Sequence, residues 1–205
     1  MDILGKRWVK MEPIRRKLMS HLYAEPPILT CAGSVSQELS IETGLKPTPA
    51  CDDDFHLLPS QAESLYFQSN SPERIDLLGE DADSHQIMLL GYVFDRRCRP
   101  VPDAKVEIWH ADETGKYDLI GDRWRGHQFT DQSGRWGFRT VITQHYSFRT
   151  AHYHFHVQRP GGKVLRTQLY FPTHPKNSED RLFDTRLVLS MLNDGAVGRF
   201  DFVTD

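Results

Sequence analysis

Histidine is the residue type whose placement in this chain most invites a chemical reading. Seven of its ten histidines (His110, His127, His145, His152, His154, His156 and His174) fall in the second half, and three of them alternate in the string AHYHFHVQ. Side chains of a strand point to opposite faces in turn, so His152, His154 and His156 all project to one side. Two such imidazoles suffice to chelate a metal ion, and all three with an open position for water would suit zinc. A lone histidine on a sheet face is more often polar surface or a satisfied core residue. Three in alternation beside other donor side chains favour a metal site.

A hairpin after this strand adds to the set. With Pro160-Gly161-Gly162 as its loop, Gln168 falls opposite His154 and Tyr170 opposite His152, on the same face. Tyr146 and Arg149 lie in the irregular approach to the histidine strand, and Tyr117 follows the loop Asp112 to Lys116 after Trp109. A loop tyrosine taken alone is ordinarily a surface or packing residue.

The elements that must position these side chains read as strands. His85 to Asp95 has the length and apolar content of a buried strand, and Ala104 to Trp109 alternates, with Ala104, Val106 and Ile108 on one face. Asp131-Gln132-Ser133-Gly134 is a hairpin turn signal leading into Arg135 to Val141, where Trp136, Phe138 and Thr140 share a face. Ala151 to Gln158 and Lys163 to Phe171 flank the Pro-Gly-Gly loop. Phe200 to Val203 reads as a last edge strand, and Asp184 as the cap of a short helix over Thr185 to Leu192. Strands at this spacing without long amphipathic helices predict an all-β fold, an antiparallel β-sandwich with an irregular N-terminal arm. The expected division is an arm over 1–45, an extended Pro- and Asp-rich lead-in over 46–75, and the sandwich over 76–205.

Length and composition limit the alternatives. A chain of 205 residues supports one domain plus an arm. A formal charge of -3 leaves no basic footprint for nucleic acid. No apolar run approaches the roughly 18–20 residues of a membrane span. Cys31, Cys51 and Cys98 are odd in number and form no CxxC pair, so neither a zinc knuckle nor a disulfide framework is indicated. Arg15-Arg16 followed by Pro27 to Ser34 has some features of an export or lipoprotein signal, but His21, Glu25 and Pro26-Pro27 interrupt the apolar stretch such a signal needs. The expectation is a cytoplasmic protein, with export or envelope association conditional on that segment working. Glu63 to Ser69 (ESLYFQS) has the look of a protease tag site inside the chain.

Taken together, VEIWHADETGKY, RGHQFTDQSGRWGFRT, YSFRTAHYHFHV and TQLYFP resemble, in order and spacing, the motifs of intradiol ring-cleavage dioxygenases such as protocatechuate 3,4-dioxygenase and catechol 1,2-dioxygenase. The likeness runs from about Lys46 to Pro172. TPACDDD, PSQAESLYF and NSPER resemble that family's lead-in, which argues that the tag-like string is native. The resemblance implies a non-haem Fe(III) held by Tyr117, Tyr146, His152 and His154, with a catechol-type small molecule and O2 as reactants and a muconate-type dicarboxylate as product. Tyr146 would be the ligand that gives way to substrate. Arg149 would stabilise charge on the ring, Gln168 would hydrogen-bond near the iron, and Trp109 and Phe148 would line the pocket. His156 would be left to support the ligands from behind or to pack, and association into a homo-oligomer is implied. The chain departs from the family pattern at Thr150, where proline is usual, and at Phe148, where tryptophan is common. From a different class, a non-catalytic β-sandwich binding module is the alternative, because turns like RPVPDAKVEIW also occur in carbohydrate-binding and transthyretin-like domains.

Overall fold

The apolar run around Leu89 becomes the central strand of a sheet because both of its faces are covered, which is what such a run requires. The computed structural model describes residues 58–62, 64–79 and 85–205. The arm over 1–45, its signal-like segment, Cys31, Cys51 and the first part of the lead-in lie outside them. Among the described residues there are β1 (Gln86–Asp95), β2 (Lys105–Trp109), β3 (Arg125–Phe129), β4 (Arg135–Val141), β5 (His152–Gln158), β6 (Leu165–Tyr170), β7 (Ser190–Leu192), β8 (Val197–Arg199) and β9 (Phe202–Thr204). Among them no helix is long and apolar enough to cross a membrane.

Two sheets face each other, one ordered β4-β1-β8-β7 with β9 also on β1, the other β3-β2-β5-β6. The β-sandwich is therefore as expected. The first sheet is mixed rather than antiparallel, because β8 and β9 run parallel to β1 while β4 runs antiparallel to it. Gly91 makes this possible: a Cβ there would sit 1.7 Å from the carbonyl oxygen of Phe200, where the chain passes from β8 to β9.

Two other expectations are corrected. Asp131 to Gly134 does form a turn, closed by Gly134 N–H donating to the Asp131 carbonyl at 2.9 Å. It is not a hairpin, because it carries the chain from β3 in one sheet to β4 in the other. The strand before it, RGHQF, pairs with β2 from Lys105↔Phe129 to Trp109↔Arg125 and has no alternation by which to be recognised. The helix expected over Thr185 to Leu192 is a single 3-10 turn, Thr185–Leu187, capped by Asp184 accepting from Arg186 N–H. Beyond it Leu189 N–H donates to the Tyr170 carbonyl at 2.8 Å and the chain enters β7, so pairing with β6 overrides the cap.

The core lies between the sheets, where Trp136 of β4, Phe155 of β5 and Phe202 of β9 meet with ring centroids 5.2–5.3 Å apart. Tyr153, Phe155 and Val157 project from β5 into it, fully buried. The β5–β6 hairpin has the expected register, His152↔Tyr170 and His154↔Gln168. The histidines therefore lie on the outer face of their sheet. The end of the lead-in crosses that face: Gln61 N–H donates to the Arg166 carbonyl at β6, Phe67 covers Trp109 and His156, and Glu73 bridges His127 of β3.

Candidate metal centre

Alternation along β5 brings two imidazoles together, and a loop supplies a phenol. His152 Nε2 lies 3.1 Å from His154 Nε2, which lies 3.1 Å from the Tyr117 hydroxyl. His152 Nδ1–H donates to the Thr150 carbonyl at 2.6 Å, which fixes the tautomer and leaves the Nε2 lone pair facing its neighbours. The His154 ring stacks on Trp109 at 5.1 Å and 5°. Burial, followed by the charge of Arg149, brings the His152 pKa down to about 3. Burial and then the neighbouring His152 hold His154 well below its ordinary value. Both rings are thus neutral near pH 7, with lone pairs available to a metal.

Carboxylate-bound loops hold Tyr117. Asp112 Oδ1 accepts from the N–H groups of Thr114 and Lys116, and Asp118 accepts from those of Ile120, Gly121 and Arg123. Gly115 lets the first loop touch the next: a Cβ there would meet the His145 carbonyl oxygen at 2.5 Å. That approach sets Tyr117 edge-on to Tyr146, with ring centroids 5.4 Å apart, and Tyr146 lies 5.6 Å from His152 by the same measure. Burial, then the neighbouring Tyr146, pushes the Tyr117 pKa up, and burial also raises that of Tyr146. The phenols need an adjacent cation to ionise. Two neutral imidazoles and two such phenols are a donor set that fits a hard trivalent ion, so these four residues could hold ferric iron.

Beside them lies a buried polar group. Arg149 Nε donates to both oxygens of Asp180 at 2.9 and 3.1 Å, and Nη2 donates to Gln168 Oε1. Burial acts to lower the Arg149 pKa, but Asp180 outweighs it and the shift is upward. The Tyr170 hydroxyl also donates to Gln168 Oε1, at 3.0 Å. Thr150, at the position where proline was expected, donates its backbone N–H to Asp180 at 2.9 Å, a bond proline has no hydrogen to make. Asp180 carried no sequence signal, because it lies 31 residues from its partner.

A cavity of about 400 Å3 opens next to this group, with Tyr66, Tyr146, Phe148, Arg149, His154 and Gln168 on its walls. Phe148 stands at its mouth, 74% exposed. Trp109, expected on the wall, stands instead behind His154, wedged between that ring, His156 and Phe67. Tyr66 was missed. It stacks on Tyr117 at 4.2 Å and 19°, from within the string that looked like a tag. His156 is not gathered with the other two histidines; its Nδ1 lies 3.7 Å from Glu107 Oε2, beneath Phe67. The zinc site of three strand histidines is therefore not formed, and among the described residues no group of three or more His, Cys, Asp or Glu side chains is arranged for a metal.

Comparison with known proteins identifies the family. The family model described as Dioxygenase matches residues 63–205. Catechol 1,2-dioxygenase from Acinetobacter baylyi is 29% identical over 157 residues, 62% of this chain and 50% of that protein. Hydroxyquinol 1,2-dioxygenase from Rhodococcus opacus is 29% identical over 163 residues, 67% of this chain and 53% of that protein. The chain thus spans about half the length of these relatives. Among solved structures, the dioxygenase domain of a dioxygenase and carbohydrate-binding fusion from Streptomyces sp. SirexAA-E is 41% identical, with a TM-score of 0.70, covering 73% of this chain and 99% of that one. These likenesses are to dioxygenases and to the dioxygenase part of the fusion, which leaves the binding-module alternative without support.

Proposed function

The chain belongs to the intradiol ring-cleavage dioxygenase family, and on that premise we propose that it opens a catechol-type ring between the two hydroxylated carbons with O2. The carbon–carbon bond breaks, the diol is oxidised, and one atom of O2 enters each carboxyl group of a muconate-type dicarboxylate. The observation that carries this reading is the convergence of the two histidine nitrogens and the Tyr117 hydroxyl at 3.1 Å separations beside Tyr146.

Tyr117, Tyr146, His152 and His154 would hold a non-haem ferric ion. Once held, that ion supplies the charge that ionises the phenols and draws electron density from a chelated diol, readying the ring for O2. The two tyrosines are not equivalent: Tyr146 lines the cavity, while Tyr117 lies beneath Tyr66, off the wall. On this reading Tyr146 would be the one to give way and take up a substrate proton, and Tyr117 would stay. Arg149 brings a fixed positive charge to the cavity wall, held by Asp180, where negative charge develops on the ring. With Gln168 Oε1 accepting from Arg149 and Tyr170, its NH2 is the end that can donate to a substrate oxygen.

The test is oxygen uptake by the iron-loaded protein with catechol and with chlorinated and hydroxylated catechols under labelled O2. The expected product is a muconate carrying both labelled atoms. Tyr117→Phe should lose both turnover and the visible tyrosinate-to-iron absorption. Protein with stoichiometric iron that oxidises none of these diols overturns the reading.

A further inference from the structure

The volume and charge of the cavity indicate what its substrate carries. A void of about 150 Å3 is enough for a benzene ring, and this cavity measures about 400 Å3. More than half of it is left for whatever the diol ring bears. Away from the metal-binding group, the walls are mostly apolar, with Leu65 from the lead-in, Phe148 from the turn before β5 and Leu182 from the segment after β6, beside Ser64 and Ser147. Leu65 is 96% and Phe148 74% exposed, so among the described residues the mouth presents apolar side chains to water.

Among the described residues, the charged side chain on the walls is Arg149, and its charge is paired with Asp180. The Lys176 ammonium donates to the Ser147 carbonyl at 3.2 Å and is not on the wall. A carboxylate entering here would shed hydration without meeting an unpaired cation. An alkyl or aryl group would instead cover Leu65 and Phe148 and gain the usual benefit of apolar burial.

We propose that this site takes neutral catechols bearing a bulky apolar substituent, which lies across Leu65, Phe148 and Leu182, in preference to carboxylated catechols. For turnover the inference rests on the ring-cleavage reading; for binding it does not. The experiment compares catechol, 4-phenylcatechol and 3,4-dihydroxybenzoate on the iron-loaded full chain, by equilibrium binding under nitrogen and by oxygen uptake in air. The expected order is 4-phenylcatechol about tenfold tighter than catechol and about 100-fold tighter than 3,4-dihydroxybenzoate. Leu65→Ser and Phe148→Ser should each lower the ratio of 4-phenylcatechol to catechol affinity by about threefold or more. Binding of 3,4-dihydroxybenzoate equal to or tighter than that of 4-phenylcatechol overturns the proposal, as does a ratio moved by neither substitution. If the binding order holds but no diol is consumed, the ring-cleavage reading fails and this inference stands. If catechol is cleaved but the order is reversed, the inference fails and the reading stands.

Discussion

The inner face of β5 presents Tyr153, Phe155 and Val157 to the opposite sheet, all at 0% exposure, while the outer face presents His152, His154 and His156 at 2, 2 and 9%. Burial alone would make both faces core. What covers them differs. Rings from β4 and β9 interlock with the inner face, a contact between regular elements of the sandwich. The outer face is covered by the lead-in, the loop carrying Tyr117 and the turn carrying Tyr146, which bring phenols, a guanidinium and an amide rather than methyl groups. A sheet face sealed by irregular segments can be dry and polar at once, and that is where the neutral imidazoles and high-pKa phenols proposed to hold a metal are found.

Substitutions on each face should separate the two roles. The largest effect is expected from His154→Ala, which should reduce iron content and oxygen uptake by more than about 100-fold, beyond what loss of a supporting residue costs, while far-UV dichroism stays that of the parent. Retained iron with retained turnover would contradict the assignment. Next, Phe155→Ala, one residue away on the inner face, should cost about 3–5 kcal/mol of unfolding free energy in urea titrations, and whatever protein folds should still bind iron.

The inner side also contains a histidine. His110 packs edge-on against Tyr153 and bonds to Thr140 and the Ala111 carbonyl, and burial brings its pKa down to about 4. The unfolded chain binds this proton more readily than the folded one, so the contribution is complete above pH 6.5 and is lost as pH falls toward 4. Between pH 7 and pH 4 the loss should reach about 3 kcal/mol, measured as the shift of the urea midpoint. In a His110→Gln variant that part of the slope should vanish. Tyr66→Ala should have the smallest effect: loss of one aromatic stack, about 1 kcal/mol, together with a displaced visible absorption of the iron-loaded protein as Tyr117 loosens. An unmoved spectrum would make Tyr66 a packing residue only.

How far each part was legible follows from the range of the signal. β1, β2 and the β5–β6 hairpin were readable because their apolar runs, alternation and Pro-Gly-Gly turn lie within a few neighbouring residues, and the register placed Gln168 opposite His154 correctly. β3 and β8 were not, since three to five residues of mixed polarity carry no period and their strand state depends on partners far along the chain, whereas the last strand, expected over Phe200 to Val203, forms as β9. Asp184 did cap a turn, but a local cap could not keep Val188 and Leu189 from pairing with β6. Tyr117 and Tyr146 came to notice through family motifs rather than through any property of loop tyrosines. Tyr66 lay in a lead-in string to which no site role was attached and Asp180 had no motif, so only contacts made across long stretches of chain identify them.

The sequence alone determined that alternate residues of β5 would set two imidazoles on one face, that the sandwich is all-β, and that the motif order is that of ring-cleaving dioxygenases. Tertiary structure alone decided how the third histidine is held apart, because Glu107 and Phe67 capture His156. It also decided which tyrosine faces the cavity, which acid pairs with Arg149, and that the cavity mouth is apolar. The physical reason is that strand periodicity is a property of bonded neighbours, whereas desolvation, charge pairing and cavity shape are set by groups that only folding brings within a few ångströms of one another.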